Sequence, residues 1–464
     1  MSLRGRFLAR CLALTLLVLT PLTACGPAPG GSTHTFSGGS PPPATTTPAA
    51  SGSASIPGAA LNGTTIEAWY PWFGVEASLF ESQVTEFNRT NTWGISVQAT
   101  SQNSYTELYS NVTSALPTPD RPQIVIGLPE YELGWDAGGD VVDLTGYVND
   151  PENGLAANDV RDFPPVFWSQ DVAGGRRFGV PAERGARFLI YNSSWARGLG
   201  FDAAPRTADE FRQQACRAHQ SMSSDQDKSN DGQGGWLVDT NPMTFLSWTM
   251  AFGGGVLEGG GYRFLTPKNL AALTYVKQLY DDGCSWSATP GQDAPTAFAN
   301  RTALFATAGI EELPEYSRAM AAADNADEWT VLSFPGPDQS GLAIYGSSYV
   351  LLKSTPQMQL ASWLFVRWLL SPENQSKWVE TTGLFPLRTS SLGLLDGYKK
   401  SHPQWSSALD LLPAGQILPQ LASWREVRTM VGDGFSVMFR SNTPSGRVAE
   451  ILAIMERTAA DLSQ

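Results

Sequence analysis

Residues 64–128 alternate strand-like and helix-like runs, and this alternation restricts the possible folds more than anything else in the chain. "TTIEAWYPW" is a short β-rich run that stops at Pro71. "EASLFESQVTEFNRT" then places Phe80, Val84 and Phe87 on one helical face. "GISVQAT" reads as a strand and "SYTELYSNVTSAL" as a helix. "PQIVIGL" is continuously apolar, which suits a parallel strand buried on both faces. Strand, helix, strand, helix, strand in that order demands crossovers and a parallel sheet covered by helices, so an α/β fold is expected.

Later helices carry start and stop signals. Thr207 with Glu210 makes a capping box ahead of "ADEFRQQACRAH". Thr266-Pro267 opens "KNLAALTYVKQLYDDG", with Gly283 as its stop. Pro356 and Ser371-Pro372 begin two more helices, and "SGRVAEILAIMERTAADL" is an amphipathic tail. The longest greasy run, "LASWLFVRWLL", is eleven residues with Arg367 inside it, too short to cross a bilayer.

The N-terminus bears on location. Arg4, Arg6 and Arg10 precede an apolar stretch that ends in Leu22-Thr23-Ala24-Cys25. This ending resembles the lipidation signal of bacterial lipoproteins, so residues 1–24 are expected to be a signal peptide and Cys25 the lipidated residue that holds the protein to the membrane. Losing those three arginines takes the net charge from −13 to about −16, a balance that speaks against a nucleic-acid partner. Residues 25–62, rich in Pro, Gly, Ser, Thr and Ala, read as a tether with too little apolar surface to order itself. About 400 residues follow, enough for two lobes. With Cys11 in the signal and Cys25 lipidated, Cys216 and Cys284 remain and are expected to pair in an oxidising compartment.

No Gly-x-Ser-x-Gly elbow, His-Glu-x-x-His helix or Gly-x-x-x-x-Gly-Lys loop occurs, and the chain has only 3 histidines. A paired-carboxylate glycosidase needs two acids out of 44, and an enzyme stays the alternative to a binding protein. "DKSNDGQGG" alternates Asp227, Ser229 and Asp231 before Gly232, as the first half of a calcium loop does, but Val238 stands where the bidentate Glu is required. A solvated turn and a structural Ca2+ site both remain open there, and no other cofactor is expected. The 15 tryptophans exceed what a core needs, and several follow strands, where α/β proteins bind ligands.

Taken in order, "FGVPAERGARFLIYN", "GFDAAPRTADEF", "NRTALFATAG", "ASWLFVRWLLSPENQSKWVETTGLFPLRTS" and "LPQLASWREVRTMV" resemble segments of the extracellular solute-binding proteins of bacterial ABC importers, the family of maltose-binding protein. Ala208 replaces that family's usual Trp, and Ile310 stands near a position where related sugar binders carry an aromatic. The resemblance implies a two-lobed periplasmic-binding-protein fold of type II, each lobe a sheet flanked by helices, with a hinge between them. Residues 63–181 and 330–385 would form one lobe, 182–329 and 386–464 the other. It implies a ligand site built from Tyr70, Trp72, Glu76, Glu130, Tyr131, Glu183 and Trp424, with Gln102, Arg187, Trp236, Trp248 and Tyr345 as further candidates. Converging Glu76, Glu130 and Glu183 would disfavour an anion, so a neutral mono- or oligosaccharide is expected; a glycerol phosphate or a polyamine is the alternative. The implied partners are that solute and an ABC permease, met by a monomer on the outer side of the cell membrane.

Overall fold

The computed structural model describes residues 58–289 and 291–464. The expected signal peptide, the lipidated Cys25 and nearly all of the tether lie outside the described residues.

Two sheets organise the chain. The first has the order Ser96–Ser101, Thr65–Tyr70, Ile124–Gly127, Ser348–Leu351, Gly179–Pro181. Its first three strands are parallel, joined through helices Gly74–Thr90 and Tyr105–Ala115. All four residues of Ile124–Gly127 are buried, as an interior parallel strand requires. The chain reverses its direction of travel across the sheet between Thr65–Tyr70 and Ile124–Gly127. Loops leaving these two strands therefore flank a crevice at their carboxyl ends.

The second sheet runs Ser285–Trp286, Gly234–Leu237, Ala303–Gly309, Gly185–Asn192, Ser340–Tyr345, Phe334–Pro335. Trp329–Leu332 also pairs with Gly185–Asn192, placing Thr330 opposite Tyr191, and Tyr345 lies opposite Gly185. This moves one expected boundary. Residues 330–345 belong to the second sheet, so the chain passes to the first sheet at Gly346–Ser347 instead of near 330.

Two passages between the sheets lie side by side, Ala182–Arg184 and Gly346–Ser347. The N–H groups of Ala182 and Glu183 both donate to the Ser347 carbonyl, at 3.0 and 3.2 Å. Gly346 has φ +139°, and a Cβ there would meet the Glu183 carbonyl oxygen at 2.2 Å, so only glycine fits. The Arg184 side chain, 0% exposed, closes the junction. It donates to the Glu183 and Ser347 carbonyls at 2.8 and 2.5 Å and to both oxygens of Asp171 at 3.0 and 2.9 Å. Ser348 completes the set by donating to Asp171 at 2.6 Å. A third strand of chain joins them, because the Phe385 N–H donates to the Arg184 carbonyl at 2.9 Å.

The capping box forms as read, with Glu210 N–H on the Thr207 hydroxyl and Thr207 N–H on the Glu210 carboxylate. Cys216 and Cys284 are joined, tying helix Ala208–Ser223 to the edge of the second sheet across 68 residues. In the "DKSNDGQGG" loop, Ser229 turns both its N–H and its hydroxyl onto Asp227. Among the described residues no group of three or more His, Cys, Asp or Glu side chains comes together to hold a metal.

Asp171→Ala leaves Arg184 buried without its counter-charge, and should lower stability by about 3–5 kcal/mol, read as a shifted urea midpoint; an unchanged midpoint would show the junction holds without this pair. Reducing the Cys216–Cys284 bond should cost roughly 4 kcal/mol in the chain-entropy account of a loop this long, measured the same way with and without reductant.

Candidate ligand-binding site

Residues from both sheets and both passages enclose a cleft of about 490 Å³. From the first sheet come Trp72 and Glu76, just past Thr65–Tyr70, and Leu128, Pro129 and Glu130, just past Ile124–Gly127. These are the loops that the topology brings to the crevice. Tyr105 enters from the first turn of its helix, behind the Ser104 cap. The passages supply Glu183, Tyr345 and Gly346. From the second sheet come Arg187, Asn241 to Met243, and Glu311, which follows strand Ala303–Gly309. Helix Trp424–Met438 adds Arg428 and Thr429.

Four carboxylates face this space, each with a pKa above the ordinary range. Glu183 is 8% exposed; burial raises it, opposed by the Tyr105 hydroxyl, which donates at 2.6 Å. Half-buried Glu76 is raised by burial and then by the negative charge of Glu183. Glu130 is raised by burial against the pull of Arg428, whose Nη1 lies 3.1 Å from its Oε1. Glu311 keeps an exposed surface, yet the surrounding walls desolvate it and push its pKa to about 7. The Tyr345 hydroxyl reaches both Glu311 oxygens, at 2.9 and 2.8 Å. The second cation, Arg187, is bound by Asp239 at 3.0 Å and Glu312 at 3.1 Å.

Six of the twelve expected residues line the cleft: Trp72, Glu76, Glu130, Glu183, Arg187 and Tyr345. The other six do not, and in each case packing explains it. The Tyr70 hydroxyl donates to Glu81 at 2.6 Å. Buried Gln102 accepts from Asn111 at 2.7 Å. Tyr131 packs on Tyr109, 4.8 Å between ring centres. Trp236 donates to the Thr307 hydroxyl at 3.1 Å inside the second sheet's core and packs edge-on against Trp248. Trp248 and Trp424 are fully buried, against Phe334 and Tyr262 respectively, and offer no face to a ligand. What the tail helix contributes instead is Arg428, one turn beyond Trp424. Glu311 is a further lining residue, and its sequence signal is an acid two positions past "ALFATAG", at a strand's carboxyl end. Its neighbour Ile310, the position expected to matter, is buried.

Residues 82–406 match the sequence profile of the bacterial extracellular solute-binding proteins. The chain belongs to that family. Membership places this solute-binding protein outside the cytoplasmic membrane, and among the described residues no helix is long and apolar enough to cross one. A binding protein of Brucella abortus (strain 2308) is 20% identical over 304 residues, 64% of this chain and 69% of that one. The two-lobed fold is shared with solved structures. The sugar-binding protein MalE from Xanthomonas citri has a TM-score of 0.74 at 19% identity, over 86% of this chain and 97% of that one. The cyclic alpha-maltosyl-1,6-maltose binding protein from Arthrobacter globiformis gives 0.71 at 18%, over 86% and 98%. UgpB from Mycobacterium tuberculosis, solved in complex with glycerophosphocholine, gives 0.64 at 17%, over 86% and 98%.

The raised pKa of Glu311 has a measurable sign. Between 4.5 and about 7 the folded protein binds more protons at this site than the unfolded chain does. Stability from this group is therefore full below pH 4.5 and lost as pH rises through 7. Unliganded Glu311→Gln should melt higher than the natural protein at pH 8, with the gap closing by pH 5; parallel melting curves would contradict the assignment.

Proposed function

We propose that this protein is the capture subunit of an ABC importer and takes a carbohydrate of one or two rings into the cleft. It would be anchored through a lipid on Cys25, act as a monomer and hand its solute to a membrane permease. The observation that carries this reading is the convergence of acids and aromatic rings from both sheets on one enclosed space at the inter-sheet passages. A volume of about 490 Å³ suits a small solute. Carboxylates accept hydrogen bonds from sugar hydroxyls, and the rings of Trp72, Tyr105 and Tyr345 offer apolar surface to the C–H faces of a pyranose. Two solved neighbours are named for sugars, MalE and the cyclic maltosyl-maltose binder. Passages set side by side are where lobes hinge on closing, which lets the permease distinguish loaded from empty protein. Binding without turnover fits the family, and a glycoside panel should come through incubation uncleaved.

Calorimetry with neutral and aminated mono- and disaccharides should reveal a ligand of micromolar affinity or better. Glu183→Gln should weaken it by about tenfold or more, about 1.4 kcal/mol for each factor of ten. Heat only from amino acids or phosphate esters would reject the carbohydrate reading.

A further inference from the structure

We propose that the solute held in this cleft carries a protonated amine, which supplies the ion-pair partner that the protein itself does not give to Glu76, Glu183 and Glu311. This rests on the reading of the cleft as the solute site.

Buried and half-buried carboxylates are ordinarily paired, because an isolated charge removed from water is costly. Here the two guanidinium groups that reach the cleft are already committed. Arg428 is held by Glu130 at 3.1 Å, and Arg187 by two acids, Asp239 and Glu312. Arg184, next to Glu183 in sequence, turns away to Asp171. Positive charge reaches the three other acids only at longer range, from Arg184 to Glu183 and from Arg187 to Glu311, and neither guanidinium makes an ion pair with them. Glu183 has the Tyr105 hydroxyl, and Glu311 has the Tyr345 hydroxyl. No hydrogen bond or ion pair among the described residues engages Glu76, whose chief electrostatic neighbour is Glu183, another acid.

Aromatic rings meet the acids at the same place. Trp72 is 4% exposed, lines the cleft, and has its indole beside the Glu183 carboxylate, whose charged form it favours. The rings of Tyr105 and Tyr345, which also line the cleft, have the electron-rich faces that attract cations. An anion would meet repulsion from these three acids, with Arg187 and Arg428 already paired. A neutral polyol would leave three acids either charged and unbalanced or protonated. An ammonium group brings three donors and one compensating charge.

Proton release is the distinguishing signature. Burial pushes the Glu311 pKa up to about 7, so near neutral pH this carboxyl holds a proton part of the time in the empty cleft, and an arriving cation drives it off, whereas a neutral sugar does not. An amino sugar and a linear polyamine share this ammonium chemistry, and the experiment separates them.

The mature chain is titrated calorimetrically with glucosamine, its β-1,4-linked dimer, glucose, N-acetylglucosamine, putrescine and glucose 6-phosphate, each in two buffers of different ionisation heat. The expected result is an aminated sugar binding at least about tenfold more tightly than its neutral twin, with net proton release, and Glu311→Gln cutting that preference by about tenfold at an unchanged melting temperature at pH 5. A neutral twin binding equally well, or without proton release from the aminated one, overturns the inference while the carbohydrate reading stands. Binding of putrescine alone upholds the amine and removes the carbohydrate. Binding of glucose 6-phosphate alone, or silence from all six probes, overturns both.

Discussion

The architecture turns on one buried cation. Arg184 lies where two passages between the sheets run side by side, and with no access to water its Nη1 and Nη2 groups need acceptors inside the protein. It finds them on both passages, at the Glu183 and Ser347 carbonyls, and on Asp171. A charge placed this way contributes little net stability compared with a well-packed apolar group, but removing one partner is costly, which makes the arrangement specific. It fixes the register of Gly346 against Glu183, and so it fixes the cleft floor, because Glu183, Tyr345 and Gly346 line the ligand space from these same passages.

Charge is divided by role. Arg184 with Asp171, Arg187 with Asp239 and Glu312, and Arg428 with Glu130 are satisfied within the protein and shape the walls. Glu76, Glu183 and Glu311 make no ion pair among the described residues, and the side-chain hydrogen bonds from Tyr105 to Glu183 and from Tyr345 to Glu311 come from neutral hydroxyls. This second group has its electrostatic environment completed from outside, and that separates a binding surface from a structural one.

Much of this could be read in the sequence because it depends on local rules. The parallel sheet followed from two crossover helices and one continuously apolar strand. The helix starts followed from Thr207, Thr266 and Ser371, whose side chains all accept the expected N–H groups. The first passage falls inside "FGVPAERGARFLIYN", one of the segments singled out by its resemblance to the family. Within it, Glu183 and Arg187 meet the cleft, whereas Arg184 meets the buried junction. Depth is what periodicity does not encode. Trp236, Trp248 and Trp424 follow strands or sit in amphipathic segments just as Trp72 does, yet packing takes them into the core. The boundary near 330 was misplaced for a similar reason, because antiparallel pairing to Gly185–Asn192 is a long-range choice that no local turn signal announces.

The most direct test is a crystal structure of the protein with the solute it retains from unpurified lysate. The account predicts density between Glu183 and Glu311, with hydroxyls on the acids, a ring against Trp72 and a nitrogen within 3.2 Å of a carboxylate. A solute bound elsewhere on the molecule, or one whose cleft contacts are made by Arg187 and Arg428 to an anionic group, would contradict it.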